Sequence, residues 1–347
     1  MIPTKAYAAV DAKTPLQPFS FSRRDLRADD VQIRIQYCGV CHSDIHQARD
    51  EWGGSMYPMV PGHEIIGEVV STGANVTRFK AGDKVGVGVM VDACCTCKNC
   101  NRDQEQYCEE GMTGTYNAME RDGVTVAQGG YSSQIVVKER FVLRLSHKLD
   151  PAAAAPLLCA GITTYSPLRF VGVTAGQRVA VVGLGGLGHM GVKFAVSFGA
   201  EVTVISTSPS KEADAKRLGA HHFLLSTDKD AMKKHASHFD VILDTVSANH
   251  DYTEFLDLLD IEGKLLIVGL PSKEPSLSPF SLITKRRSII GSMIGGIKET
   301  QEMLDYCAEK NIVSDVEVIP VQYINDAYER MIRSDVKYRF VIDLSTL

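Results

Sequence analysis

The chain has 347 residues, 44% of them hydrophobic, and a formal net charge of -5 with a sequence pI of about 6.1. That length and apolar content suit two domains of ordinary size and exclude a disordered chain. No excess of cations is available to neutralise a phosphate backbone or anionic lipid, and no basic block exceeds Lys285-Arg286-Arg287, so nucleic acid and membrane surfaces are excluded as partners.

The N-terminal MIPTKAYAAVDAK has no apolar core behind a basic start. It reads as a first strand and not as a signal peptide, which sets a cytoplasmic location as the expectation. Up to about residue 150, short alternating or β-branched runs (VQIRIQ, GHEIIGEVVSTG, GDKVGVGVMV, YSSQIVVK, FVLRL) are separated by glycine and polar turns, the pattern of a mainly β domain. Within it lies Cys94-x2-Cys97-x2-Cys100-x7-Cys108. Four thiolates at such spacings wrap one tetrahedral zinc, and a closed set of four leaves no position for substrate, so the site is structural. Cys95 is a surplus thiol that replaces Cys94 only by shifting the loop, and it is left out. Nine cysteines in an acidic chain without a secretion signal suit ligands better than a disulfide framework. The stretch from Pro151 to Leu168, the least charged in the chain, is interrupted by Pro156, Thr163, Thr164, Ser166 and Pro167 and is no membrane span. Its Ala/Pro start, Pro151 to Pro156, marks the expected crossing between domains.

From Arg178 the rhythm becomes buried strand followed by helix: RVAVVG then HMGVKFAVSFGA, EVTVIS then KEADAKRLGA, HFLLS, FDVILDTV then TEFLDLLD, GKLLIVGL and RRSIIGSMI. Strands with helical crossovers form an open parallel sheet with helices on both faces. Gly183-Leu184-Gly185-Gly186-Leu187-Gly188 follows the first of these strands directly. In this G-x-G-x-x-G the first glycine permits the tight turn, the second lets the backbone approach a pyrophosphate, and the third packs the helix on the strand. An NAD-binding chain carries an acid at the end of its second strand; here Ser206, Thr207, Ser208 and, slightly further on, Lys211 stand there. Hydroxyls and a cation suit a 2′-phosphate, so NADP(H) is the expected cofactor. After Gly296 come a helix (KETQEMLDYCAEK), a strand (VEVIPVQ), a second helix (INDAYERMI) and a closing strand (KYRFVID). Spacing leaves open whether this tail extends the parallel sheet or returns to the first domain.

A third constellation is dispersed: Cys41, His63 with Glu64, and Cys159. Two thiolates and an imidazole neutralise Zn²⁺ and leave one coordination position open, as catalytic zinc requires. By themselves, a histidine before a glutamate is more often a surface or core histidine, and a cysteine in an Ala/Leu run more often a small buried hydrophobe.

The segments GVCHSD, PGHEIIGEV, GDKVGVG with its four following cysteines, LLCAGITTYSPL, VVGLGGLGHMGVKFA, VISTSPSK, GGIKETQEMLD and YRFVID, in this order and over nearly the whole chain, resemble the zinc-dependent medium-chain alcohol dehydrogenases, cinnamyl alcohol dehydrogenase branch. The resemblance implies an α/β protein: a GroES-like β-rich catalytic domain over 1–151, a Rossmann domain with a doubly wound parallel sheet over 152–295, and a return to the catalytic domain over 296–347. It places catalytic zinc on Cys41, His63 and Cys159, with Glu64 as a transient fourth ligand or a neighbour of the metal, and Asp44 as the carboxylate that orients His63. Ser43 and His46 match the family's proton relay between substrate oxygen and solvent. Thr163 matches a nicotinamide contact, and Arg339 a basic group that reaches the cofactor pyrophosphate. The implied activity is interconversion of aldehydes and primary alcohols, cinnamyl-type or broad, with two zinc ions and NADP(H), in a homo-oligomer for which a dimer is favoured. Cys95 and His42 depart from the family pattern.

Overall fold

The computed structural model describes residues 1–271 and 273–347. Two compact units emerge, Met1–Cys159 with Gly295–Leu347, and Ala160–Ile294.

The first unit is built on a seven-stranded sheet. Its main path runs Leu143–Arg144, Lys84–Val87, Ile65–Thr72, Asp30–Gly39, Arg339–Asp343 and Val316–Pro320, with Gln134–Lys138 also pairing Asp30–Gly39. In Asp30–Gly39 the apolar Val31, Ile33 and Ile35 recur every second residue and are buried, which is the period that places side chains on one face of a pleated strand. The closing strand lies antiparallel on this strand, with Val341 opposite Gly39 and Ile342 opposite Cys38. The C-terminal tail therefore returns to the first unit, the alternative that spacing left open. Among the described residues no helix is long and apolar enough to cross a membrane.

The second unit holds a six-stranded, wholly parallel sheet in the order His222–Leu225, Glu201–Ser206, Arg178–Val182, Phe239–Asp244, Leu259–Ile267, Ser288–Gly291. The first strand in sequence lies in the middle, so the winding direction reverses beside it, the switch point at which open α/β sheets bind ligands. Val179 to Val182 are buried without alternation because helices cover both faces of such a sheet.

The two units divide after Cys159 and after Ile294, beside the boundaries expected at 151/152 and 295/296. The Ala/Pro stretch forms a helical turn at Pro151–Ala154 and a 3-10 turn at Ala155–Leu158. Both pack on the strands of the first unit, including Asp30–Gly39, Ile65–Thr72 and Arg339–Asp343. Asp150 caps the turn by accepting from Ala153 N at 2.8 Å. Apolar packing thus holds the run in the first unit up to Cys159, and the return begins at Gly295.

Candidate active site

Cys41 ends the loop after Asp30–Gly39 and is the N-cap of the helix His42–Ala48. Asp44, in the first turn, turns back to accept from Cys41 N at 2.9 Å, so thiol and carboxylate are set by one local motif. His63 immediately precedes the strand Ile65–Thr72. Its Nδ1 lies 3.1 Å from Asp44 Oδ1. A carboxylate acceptor there places the proton on Nδ1 and leaves Nε2 as a ligand atom. Burial disfavours a charged His63, but Asp44 outweighs it and raises the imidazole well above its ordinary range.

Cys41, His63, Glu64 and Cys159 offer ligand atoms that all lie within 4.8 Å of one another, and all four are buried. The same holds for Cys94, Cys97, Cys100 and Cys108. A tetrahedral zinc with Zn–S bonds of about 2.3 Å spaces its sulfurs by roughly 3.8 Å. Cys41 Sγ and Cys159 Sγ are 3.9 Å apart, and Cys94 Sγ and Cys100 Sγ 3.8 Å. These spacings are far beyond a disulfide, and the nine cysteines are free thiols. Both donor sets fit zinc.

The two sets differ in their electrostatics. In the four-cysteine loop, Thr96 N and Cys97 N donate to Cys94 Sγ at 3.5 and 3.3 Å, and Cys100 N and Glu109 N donate to Cys97 Sγ at 3.5 Å. Those backbone donors bring the Cys94 thiol down to about 6. In the buried set, a hydrogen bond from Cys159 holds Cys41 well below the ordinary thiol range, and Arg339 and His63 add to it. A dication bound there would replace the proton between the two thiols.

Glu64 is fully buried, and burial pushes it up to about 7 although Arg339 opposes the shift. Arg339 Nη2 donates to Glu64 Oε1. Glu64 Oε2 has no hydrogen-bond partner and is buried; an unpaired carboxylate oxygen beside three zinc donors is what a transient ligand requires. Gly39 makes room for it, since a Cβ there would sit 1.9 Å from Oε2.

Ser43 Oγ lies 3.7 Å from Cys41 Sγ. His46 is three residues further on the same short helix, on the same face, and its Nδ1 meets Glu51 Oε2 at 2.5 Å. Trp52 covers the imidazole with ring centroids 4.9 Å apart.

In the second unit, Gly183 has φ +86°, and a Cβ at Gly188 would sit 2.0 Å from Gly183 O, whereas one at Gly185 would meet open space. The loop is therefore tight at both ends and open in the middle. Among the described residues, the N–H groups of Gly185, Gly186 and Leu187 donate to no group of the chain. They precede the helix Gly188–Ser197, so its positive end and these donors fit an anion such as a pyrophosphate. Gly183 N donates to Ile205 O at 2.9 Å, which brings the end of Glu201–Ser206 beside the loop. Ser206 Oγ accepts from Ser208 N at 3.2 Å, and the Ser208 and Ser210 hydroxyls are 2.8 Å apart. Thr207 is exposed, and Lys211 closes the 3-10 turn Pro209–Lys211. Thr163 is buried in the helix Ala160–Phe170 of this unit.

Two family descriptions match the chain, the alcohol dehydrogenase GroES-like domain over residues 27–147 and zinc-binding dehydrogenase over 186–309. Aldehyde reductase YahK of Escherichia coli is 54% identical over 346 residues, covering 99% of each chain. A cinnamyl alcohol dehydrogenase of Sorghum bicolor superposes with a TM-score of 0.96 at 45% identity, over 99% of this chain and 98% of that one. The chain belongs to the zinc-dependent medium-chain alcohol dehydrogenases, in the cinnamyl alcohol dehydrogenase branch. A cinnamyl alcohol dehydrogenase of Helicobacter pylori complexed with NADP(H) is similar as well, with a TM-score of 0.93, 42% identity and 99% of each chain covered.

In this alcohol dehydrogenase three features escaped the sequence. Arg339, expected to reach a pyrophosphate, has its guanidinium against Glu64; burial alone would lower its basicity, and Glu64 with Cys41 and Cys159 raises it instead. Glu51 holds His46 without any spacing to announce it. Tyr116 stacks on the His63 imidazole with centroids 5.8 Å apart, and its sequence surroundings carry no metal-site signal.

Proposed function

We propose that this alcohol dehydrogenase interconverts aldehydes and primary alcohols, cinnamyl-type or broadly, with NADP(H), using Cys41, His63 and Cys159 as the ligands of catalytic zinc. The observation that carries the reading is the contrast between a closed four-cysteine set and a buried three-donor set beside a half-paired carboxylate. When bound, zinc supplies a Lewis acid for the substrate oxygen and the nicotinamide supplies hydride. The chain does the rest. Asp44 fixes the imidazole tautomer, Arg339 holds Glu64 beside the donors, Ser43 gives a proton to the product oxygen, and His46 resupplies it from solvent with Glu51 as its partner. Gly183 to Gly188 hold the pyrophosphate and Thr163 contacts the nicotinamide. Steady-state kinetics with NADPH and NADH across aliphatic and aromatic aldehydes tests the reading; turnover confined to secondary alcohols or polyols overturns it.

Ser206, Thr207, Ser208 and Lys211 hold the 2′-phosphate, and the NADP(H) complex of the H. pylori relative supports that assignment. Ser206→Asp is expected to move the NADPH/NADH ratio of specificity constants toward NADH by about 1.5 to 3 kcal/mol, roughly ten- to a hundredfold, because a carboxylate accepts from a ribose hydroxyl and repels a phosphate. Lys211→Ala should weaken NADPH alone. A wild-type ratio at or below one, or a ratio unmoved in the variant, sinks the assignment.

The same reading makes the chain a cytoplasmic homodimer. Six zinc-ligating cysteines need a reducing compartment. Ser288–Gly291 is an edge strand of the parallel sheet, and Phe280 and Ile283 in the preceding helical turn are 72% and 75% exposed. An open edge beside exposed apolar side chains favours pairing with a second copy. Light scattering should give twice the chain mass for wild type and a monomer for Phe280→Glu combined with Ile283→Lys; a monomeric wild type overturns the dimer.

A further inference from the structure

The Asp44 carboxylate is buried and accepts four hydrogen bonds. Oδ1 takes Gly62 N and His63 Nδ1, both at 3.1 Å, and Oδ2 takes Cys41 N at 2.9 Å and the Tyr131 hydroxyl at 3.1 Å. Three of these donors belong to the segments that carry Cys41 and His63. Tyr131 comes from elsewhere in the chain, 87 residues from Asp44. It is fully buried, and its placement is over-determined. Gly129 N donates to Val60 O at 2.7 Å, Gly130 N to Gly62 O at 2.8 Å and Tyr131 N to Pro61 O at 2.9 Å. The segment thus runs alongside the residues that lead into His63. The ring lies directly over Gly62, where a Cβ would meet Tyr131 Cδ1 at 2.6 Å.

We propose that Tyr131 is a positioning residue for the metal held by Cys41, His63 and Cys159, acting through Asp44. With two donors on each oxygen the carboxylate has no freedom to rotate, and its charge is divided between both sides. Without the phenol, Oδ2 keeps one donor and the carboxylate is free to tilt, so it no longer fixes the direction of the His63 imidazole. The proposal rests on the assignment of those three residues as the exchangeable zinc site.

The test compares the zinc-loaded wild type with Tyr131→Phe, Asp44→Asn and the Asp44→Asn/Tyr131→Phe double variant. Two readings are taken: the rate at which the exchangeable zinc passes to a chelating dye, and the ligand-field spectrum after cobalt replaces that zinc. Tyr131→Phe should lose its zinc about tenfold faster, at the lower end of what partners of metal ligands contribute, and should shift the cobalt bands. Tyr131→Phe should add nothing on the Asp44→Asn background. Wild-type release and spectrum in Tyr131→Phe overturn the proposal, as does an undiminished effect in the double variant. A wild type that holds a single zinc overturns the site assignment and the proposal with it. Should Tyr131→Phe fail to fold, 4-fluorophenylalanine at position 131 fills the volume of the hydroxyl without a donor, and the same readings decide.

Discussion

Cys41→Ala should abolish turnover in a chain that still folds and keeps one zinc, whereas Cys97→Ala should lose stability first. The difference follows from what each metal is asked to do. The four-cysteine loop contains only two 3-10 turns, Cys100–Arg102 and Glu105–Tyr107, and its anchorage is largely polar. Glu105 accepts from Arg140 at 3.0 Å and from Ile297 N at 3.1 Å, while Arg140 also donates to Cys100 O at 3.3 Å. Structural zinc in peptides of comparable size contributes on the order of 10–16 kcal/mol, as much as a whole domain's net stability, and three cysteines hold it poorly. Cys41, by contrast, follows Asp30–Gly39 and His63 leads into Ile65–Thr72, strands whose apolar residues Val31, Ile33, Ile35, Ile65, Ile66 and Val69 are buried. Metal analysis should find two zinc ions per chain, one removed by a chelator together with activity. One zinc in a fully active preparation contradicts the two-site reading.

Ser43→Ala should lower kcat/KM by roughly two orders of magnitude or more, within the range of a positioned acid–base group, and leave cofactor affinity near wild type. His46→Gln should cost less, since the imidazole is partly exposed and paired with Glu51, and water can replace it at that end. Solvent isotope effects on kcat should change in Ser43→Ala if proton transfer becomes limiting. Equal turnover in wild type and both variants means that the proton travels elsewhere.

What the sequence made legible is what is local in the chain. The glycine loop, the strand before it and the helix after it are contiguous, and each glycine's job follows from backbone sterics alone. The four cysteines likewise sit on one loop. Strand periodicity identified the sheet of the second unit, where burial on both faces removes the alternation seen in the first. The dispersed donors were joined only through family resemblance, because Cys41 and Cys159 are 118 residues apart and no local rule links them. Arg339 shows the limit: even with the resemblance, its contact with Glu64 across 275 residues was missed, since it depends on the register of the last strand against Asp30–Gly39. The division of the chain after Cys159, and not at the Ala/Pro run itself, has a related reason. Alanine and proline are common in linkers, and only the surface they pack against reveals that this run belongs to the first unit.

That late strand has a consequence for how the enzyme is made. Residues 160–294 are continuous, so a nascent chain has everything the dinucleotide unit needs before the remainder is synthesised. The metal-bearing unit does not: until Arg339–Asp343 emerges, the Tyr37–Gly39 end of Asp30–Gly39 lacks its neighbour, and Glu64 lacks the cation that makes its burial tolerable. Emergence of Arg339–Asp343, and not the earlier appearance of Cys41, His63 or Cys159, is the event that completes this half of the protein. A chain that stops before Arg339 has a finished nucleotide-binding half joined to an unfinished sheet.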